Sequence, residues 1–130
     1  MKKSVVLVTA LMCLFSTQAQ WKPAGDKIKT SWAEKIDVNH VLPEYPRPLM
    51  VRQNWSNLNG LWSYAIRPVG ETCPAKFDGN ILVPFAVESA LSGVQKELKD
   101  NQELWYTRMF KVPANWKGQK VLLHFGAVDW

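Results

Sequence analysis

The sequence predicts an all-β protein built as an antiparallel β-sandwich, and three observations lead to that prediction. Apolar and polar residues alternate in several short segments, each about as long as a β-strand. Glycine and proline residues separate these segments. No long stretch shows the 3.6-residue apolar period of an amphipathic helix. Short strands without helices between them bury their apolar sides best by packing as two sheets.

Four segments carry the strand pattern, and they are residues 59–66, 80–83, 104–112 and 120–125. In the first segment Trp62, Tyr64 and Ile66 fall on one face, because successive strand side chains point to opposite sides. The last two segments are joined by residues 114–119, which contain a glycine. A connection of this kind between two strand patterns predicts an antiparallel hairpin.

The amino terminus carries the pattern of a secretory signal peptide over residues 1–19. Two lysines precede an apolar run of 11 residues, 5–15, and small residues occupy the −3 and −1 positions of a cut after Ala19. The alternative, a transmembrane anchor, requires about 20 apolar residues. The pattern therefore predicts export, with no membrane association after cleavage.

The charge of the exported part argues against nucleic-acid binding. Removing the two signal-peptide lysines leaves 14 basic and 11 acidic residues, a net charge of +3. The lysines and arginines are scattered singly along the chain and form no basic stripe. We therefore expect no nucleic-acid partner.

Cysteine content points to a bacterial envelope location and to a chain without cofactors. Cys73 is the single cysteine of the exported part, so no internal disulfide can form. One cysteine and two histidines do not suggest a zinc site. Export without disulfides fits a bacterial periplasmic or secreted protein better than a small disulfide-stapled domain. We expect neither a metal nor an organic cofactor.

Residues 20–58 are interpreted as an extended leader rich in proline and tryptophan. Three prolines, Pro43, Pro46 and Pro48, remove backbone donors and favour extended geometry in the residues before them. A short helix is predicted around residues 30–36, with Ser31 as its N-cap. The sandwich is then expected to begin at residue 59 and to extend to residue 130.

Few side chains carry a pattern typical of catalysis. The carboxylates are scattered, and the sequence contains no nucleophile elbow, phosphate-binding loop or zinc-protease motif. Glu88 is the exception that we follow, because it comes directly after a predicted strand end. Trp62 and Trp105 allow two interpretations, packing inside the sandwich or stacking on a sugar ring. We predict no catalytic residue in this chain.

Three segments together resemble the amino-terminal sugar-binding domain of family 2 glycoside hydrolases, which include β-galactosidases, β-glucuronidases and β-mannosidases. These segments are YPRPLMVRQNWSNLNGLWSY, ILVPFAVESALSGV and LWYTRMFKVPANWKGQKVLLHFGAVDW. The resemblance covers roughly residues 45–130. It rests on the order and spacing of an N-G-x-W strand, a V-P-F…E-S strand end, a W-Y-x-R-x-F strand and a W-K-G turn.

The resemblance implies a jelly-roll sandwich of the galactose-binding type, of which residues 59–130 form the first part, incomplete at the carboxyl end. In the family, the acid/base and the nucleophile are two glutamates on a downstream barrel, so they lie outside this sequence. The parent enzyme would hydrolyse β-linked glycans with retention. The implied partners are carbohydrate and the parent's own downstream domains. We expect this part of the sandwich, expressed alone, to be prone to aggregation because an apolar face is uncovered.

The resemblance also implies candidate sugar contacts in the loop after Pro84, namely Glu88, Ser89 and Ser92. The alternative is that these side chains hold the loop in shape through hydrogen bonds to the backbone. Arg108 is expected to be a structural residue that forms an ion pair with a carboxylate or binds a carbonyl, because an unpaired buried charge is costly.

Two other functions stay open beside the enzyme fragment: a stand-alone carbohydrate-binding module without chemistry, and a structural β-sandwich of the cell envelope that binds protein. The sequence that follows residue 130 in the gene distinguishes these functions from the leading hypothesis.

Overall fold

The computed structural model describes residues 21–25, 28–126 and 128, so the predicted signal peptide lies outside the described residues. These residues fold around one antiparallel sheet of three strands, β1 (Gly60–Pro68), β2 (Gly79–Val83) and β3 (Gln102–Thr107), in the order β2-β1-β3. Four 3-10 turns accompany the sheet, at Ala33–Lys35, Pro48–Met50, Ala90–Ser92 and Ala114–Trp116. The expected β-rich class is confirmed. No helix among the described residues is long and apolar enough to cross a membrane.

The central strand β1 sets the two faces of the sheet. Tyr64 is paired with Gly79 of β2 and with Tyr106 of β3, so these three positions share one face. We call the side that carries Trp62, Tyr64 and Ile66 the core face. Tyr64 belongs to the buried cluster, and the other two are partly buried and pack against it. The predicted grouping of these three side chains is confirmed.

The core lies between the core face and the connection from β2 to β3, residues 84–101, which we call the β2–β3 loop. Val87 of this loop is buried together with Tyr64 and Ile81. Val94 and Leu98, further along the loop, pack against the same cluster. Full burial of one aliphatic side chain such as Ile81 contributes about 1.5–3 kcal/mol. A three-stranded sheet therefore depends on its loop for a large part of its buried apolar surface.

The leader contacts the β2–β3 loop near its start and the sheet near its end. Near the start of the leader, the Ala24 amide donates to the Ala90 carbonyl of the loop at 2.8 Å. Near its end, the Leu58 carbonyl accepts the indole N–H of Trp62 in β1 at 2.8 Å. The described leader contains two 3-10 turns and no strand. Of the helix predicted around residues 30–36, the structure contains the 3-10 turn Ala33–Lys35. Its N-cap is Trp32 rather than Ser31, and Trp32 makes no side-chain capping hydrogen bond.

The third strand and the predicted hairpin differ from expectation. β3 starts at Gln102 rather than Leu104 and ends at Thr107 rather than Val112. Residues 120–125 form no strand, so the predicted hairpin is wrong. Pairing of β3 with β1 stops at the Ser63–Thr107 pair. Alternation of side chains gives a segment an apolar face, but it does not provide a neighbouring strand to hydrogen-bond with. Residues 120–125 therefore stay unpaired among the described residues.

An ion pair closes the connection between β1 and β2. The Asp78 carboxylate accepts the Ile66 amide at 2.9 Å and the Arg67 guanidinium at 2.9 and 3.0 Å. Arg67 also donates to the Lys76 carbonyl at 2.7 Å, so the last turn of the connection is held to the end of β1 by one side chain. The amide of Ile66 and the guanidinium of Arg67 lower the pKa of Asp78 below its ordinary value of 3.8.

The Asp78→Asn variant tests this closure. Near neutral pH we expect the free energy of unfolding to fall by about 1 kcal/mol, a modest value because solvent screens this exposed pair. The folded-state pKa is depressed, so the stabilisation is complete above the ordinary value of 3.8 and is lost as pH falls through the lower folded value. Urea unfolding followed by tryptophan fluorescence, near pH 7 and near pH 2, measures both effects.

Glu71→Gln is the matched control, because Glu71 is an exposed carboxylate in the same connection and makes no ion pair among the described residues. A difference between Asp78→Asn and the unmodified chain that stays constant from pH 7 to pH 2 contradicts the assignment.

Candidate functional site

The hydroxyl of Ser92 organises the β2–β3 loop from inside. Ser92 is completely buried. Its oxygen accepts the amides of Val94 at 3.0 Å and Gln95 at 3.4 Å. Its proton faces the carbonyls of Ser89 at 2.7 Å and Val87 at 3.2 Å. A hydroxyl offers one donor and two acceptor sites, so the loop uses the whole hydrogen-bonding capacity of this side chain.

The two serines and the glutamate predicted as sugar contacts have different surroundings. Ser92 is buried and cannot touch a ligand at the surface, which corrects its assignment as a sugar contact. The Ser89 oxygen accepts the Leu91 amide at 3.1 Å and caps the 3-10 turn Ala90–Ser92. Glu88 is exposed. Of the three candidates, Glu88 is the side chain free to meet a ligand.

The exposed Glu88 carries a charge that acts on one member of an aromatic pair on the core face. Trp62 and Tyr106 meet edge to face, with ring centroids 6.5 Å apart and planes at 84°. The Trp62 indole donates to the Leu58 carbonyl at 2.8 Å, which fixes its ring. Tyr106 keeps 41% of its surface exposed. Glu88, Trp62 and Tyr106 together form what we call the aromatic–carboxylate site.

The charge of Glu88 acts on the hydroxyl of Tyr106. Partial burial raises the pKa of the Tyr106 hydroxyl above its ordinary value of 10.0, and the negative charge of Glu88 raises it further. Both effects keep the phenol protonated at neutral pH. The site therefore combines a hydroxyl donor and an aromatic ring with a carboxylate whose charge acts on that hydroxyl.

Arg108 supports the same end of the sheet. Its Nη1 atom donates to the carbonyls of Leu58 and Asn59, both at 2.7 Å. Among the described residues Arg108 makes no ion pair; of the two expected kinds of partner, a carboxylate or a carbonyl, the structure shows carbonyls. The guanidinium fills the space beside Gly60, where a Cβ atom would lie 3.1 Å from Nη1. Arg108 thus joins the end of β3 to the start of β1.

The sequence indicated Glu88 as a candidate, but it did not group Glu88 with Trp62 and Tyr106. The alternation in residues 104–112 does not by itself say which face of the sheet Tyr106 shares; its pairing with Tyr64 brings it to the side of Trp62. Trp105 lies on the opposite face, across from the buried Ala65. Its indole nitrogen is buried and has no hydrogen-bond partner in the part of the chain that the structure describes.

Two open grooves lie on the sheet. One, of about 440 Å³, is lined by residues of all three strands and by the chain just after β3, and it includes Trp62 of the site: Leu61, Trp62, Ser63, Asn80, Thr107, Arg108 and Met109. The other, of about 390 Å³, includes Lys96, Lys99 and Asp78. Neither groove includes Glu88 or Tyr106. Both grooves are shallow, so the pair of Trp62 and Tyr106 defines the candidate site better than either groove does. No group of three potential metal ligands occurs among residues 21–25, 28–126 and 128.

Comparison with protein-family models and with curated proteins gave no match for this chain. The aromatic–carboxylate site therefore rests on the edge-to-face pair of Trp62 and Tyr106 and on the charge of Glu88 that acts on Tyr106.

The Glu88→Gln variant tests the proximity of Glu88 to Tyr106. We expect the pKa of Tyr106 to decrease but to stay above 10.0, because burial is the larger cause of the shift. Phenolate absorbance near 295 nm reports the titration, and subtracting the curve of Tyr106→Phe isolates this residue from the other tyrosines. Glu97→Gln, which changes another exposed loop carboxylate, should leave the curve unaltered. Identical curves for Glu88→Gln and the unmodified chain would place Glu88 away from the phenol.

Proposed function

We propose that this chain is the amino-terminal sugar-binding part of an exported glycoside hydrolase that acts on β-linked glycans. The aromatic–carboxylate site is the observation that supports this function most directly. An aromatic ring packs on the apolar C–H face of a pyranose, while a carboxylate accepts hydrogen bonds from two neighbouring sugar hydroxyls. The half-exposed Tyr106 would supply the ring contact, and Glu88, whose charge acts on Tyr106, would supply the carboxylate contact.

The hydrogen bonds of the β2–β3 loop would fix the backbone around Glu88 before a ligand binds. Ser92 fixes the backbone on both sides of Glu88 through the carbonyls of Val87 and Ser89. A contact residue on a preorganised loop loses less conformational entropy when it binds. The same serine therefore improves affinity without touching the sugar.

The proposal extends to the architecture and the location of the parent protein. The sheet β2-β1-β3 would form part of one layer of a jelly-roll sandwich, and the protein would be exported to the periplasm or secreted. Catalysis would rest with two glutamates on a barrel domain outside these 130 residues, acting with retention at a separation of about 5–5.5 Å. Reading the gene beyond codon 130 tests this part of the proposal, which predicts further strands and then a barrel.

Glycan binding by the purified chain tests the sugar-binding function itself. We expect an array of β-linked galactosides, glucuronides and mannosides to contain at least one ligand. Calorimetry with that ligand should show that Glu88→Gln and Tyr106→Ala each weaken binding by roughly tenfold or more, because each removes a contact worth more than ~1.4 kcal/mol.

Two exposed residues provide matched controls. Glu97→Gln removes another loop carboxylate and Phe110→Ala removes another exposed aromatic ring, and neither change should alter affinity. A chain that binds no glycan contradicts the function and favours the envelope-sandwich alternative. Glycan binding that survives both site variants would keep the function and reject the site.

A further inference from the structure

Residues 21–25 of the leader lie against the turn of the β2–β3 loop that follows Glu88, and we call them the strap. The Ala24 amide donates to the Ala90 carbonyl at 2.8 Å. The Trp21 indole donates to the Ser92 carbonyl at 3.4 Å. These two hydrogen bonds attach the strap to both ends of the short turn.

Gly93 provides the place on the loop where the indole packs. Its φ angle of +82° lies in the left-handed region that favours glycine. A Cβ atom at this position would lie 2.6 Å from Nε1 and 2.9 Å from Cδ1 of Trp21. The indole therefore fills the space that the side chain of any other residue would need.

The far end of the strap contacts the loop where its backbone is strained. Gln95 has a φ angle of 52°, a left-handed conformation that residues other than glycine adopt rarely. Such a conformation persists when the surroundings hold it in place. The Gln95 side chain lies against Gly25 of the strap, and its amide donates to the Ser92 hydroxyl at 3.4 Å. The strap thus supports the least favourable backbone conformation of the loop.

The contacts of the strap lead directly to the backbone around Glu88. The Ala90 carbonyl, which accepts the strap amide, also accepts the Gly93 amide at 3.2 Å and so closes the turn. Inside that turn, the Ser92 hydroxyl faces the carbonyls of the residues on both sides of Glu88. The turn is therefore held by Ser92 from inside and by the strap from outside.

We propose that the strap is a conformational device that orders the β2–β3 loop, and that Trp21 is the positioning residue through which it holds Glu88 in place. Among the described residues the strap makes two hydrogen bonds to the loop, so it can open while the sheet stays folded. With the strap open, the Ser92 hydroxyl alone holds the turn. The device involves no carbohydrate and goes beyond the sugar-binding function.

Amide hydrogen exchange in the Trp21→Ala variant tests the ordering of the loop. The Gly93 amide donates to the Ala90 carbonyl, and the Lys96 amide donates to the Val87 carbonyl beside Glu88. We expect both amides to exchange at least about fivefold faster than in the unmodified chain, while the amides of β1 stay within about twofold. Trp21→Phe keeps an aromatic ring over Gly93 and should restore most of the protection.

Trp32→Ala is the matched control, because Trp32 is another tryptophan of the leader and is 74% exposed. It should leave the exchange of both loop amides unaltered.

Gly93→Ala tests the contact between the indole and the loop from the other side. The new methyl group meets the indole, whereas the strain of the positive φ angle is the same with or without Trp21. We therefore expect Gly93→Ala to accelerate exchange of the Lys96 amide more in the unmodified chain than in the Trp21→Ala chain. Equal accelerations in the two chains contradict the contact.

The phenolate titration of Tyr106 reports whether the strap positions Glu88. We expect the pKa change that Glu88→Gln causes at Tyr106 to be less than about half as large in the Trp21→Ala chain, because a loosened loop no longer holds the charge of Glu88 where it acts on the phenol. A purely structural role of Trp21 would leave that change at its full size.

The proposal is overturned by unchanged loop exchange in Trp21→Ala, by equal acceleration in Trp32→Ala, or by an effect of Glu88→Gln on Tyr106 that Trp21→Ala does not reduce. Failure of the chain to bind any glycan rejects the proposed function and alters none of these results.

Discussion

The buried hydroxyl of Ser92 is the contact on which the candidate site and much of the core depend. It binds the loop backbone on both sides, at Ser89 and at Val94. The preceding residues then carry Val87 into the core and leave Glu88 at the surface. The leader is attached to the same turn, since the Trp21 indole donates to the Ser92 carbonyl at 3.4 Å. Ser92 thus connects the loop and the core through its hydroxyl and the leader through its carbonyl.

This dependence follows from the small size of the sheet. Three strands bury few side chains by themselves, and Ile81 and Leu82 are the largest apolar ones that are fully buried among the described residues. The β2–β3 loop adds Val87, Val94 and Leu98 to the core face. A loop can supply this cover only if its buried amides and carbonyls are paired, because each unpaired buried group costs about 1–3 kcal/mol.

The parts of the structure that the sequence predicted are those set by local pattern. β1 and β2 were predicted from alternation and from the prolines and glycines at their ends, and the apolar face of β1 followed directly. The end of β3 and the fate of residues 120–125 depend on which strand is available as a neighbour, and alternation carries no such information. The site residues differ in the same way. The position of Glu88 after a strand end could be read from the local sequence, whereas the face that Tyr106 shares with Trp62 depends on the pairing of Tyr106 with Tyr64.

Amide hydrogen exchange in the Ser92→Ala variant tests the central role of this hydroxyl most directly. Loss of the oxygen leaves the Val94 amide without its acceptor. We expect that amide to exchange at least ~10-fold faster than in the unmodified chain, corresponding to a lost hydrogen bond of more than about 1 kcal/mol. The amides of β1 should keep more of their protection. Unchanged exchange at Val94 would show that the loop holds its shape without Ser92 and would contradict the account.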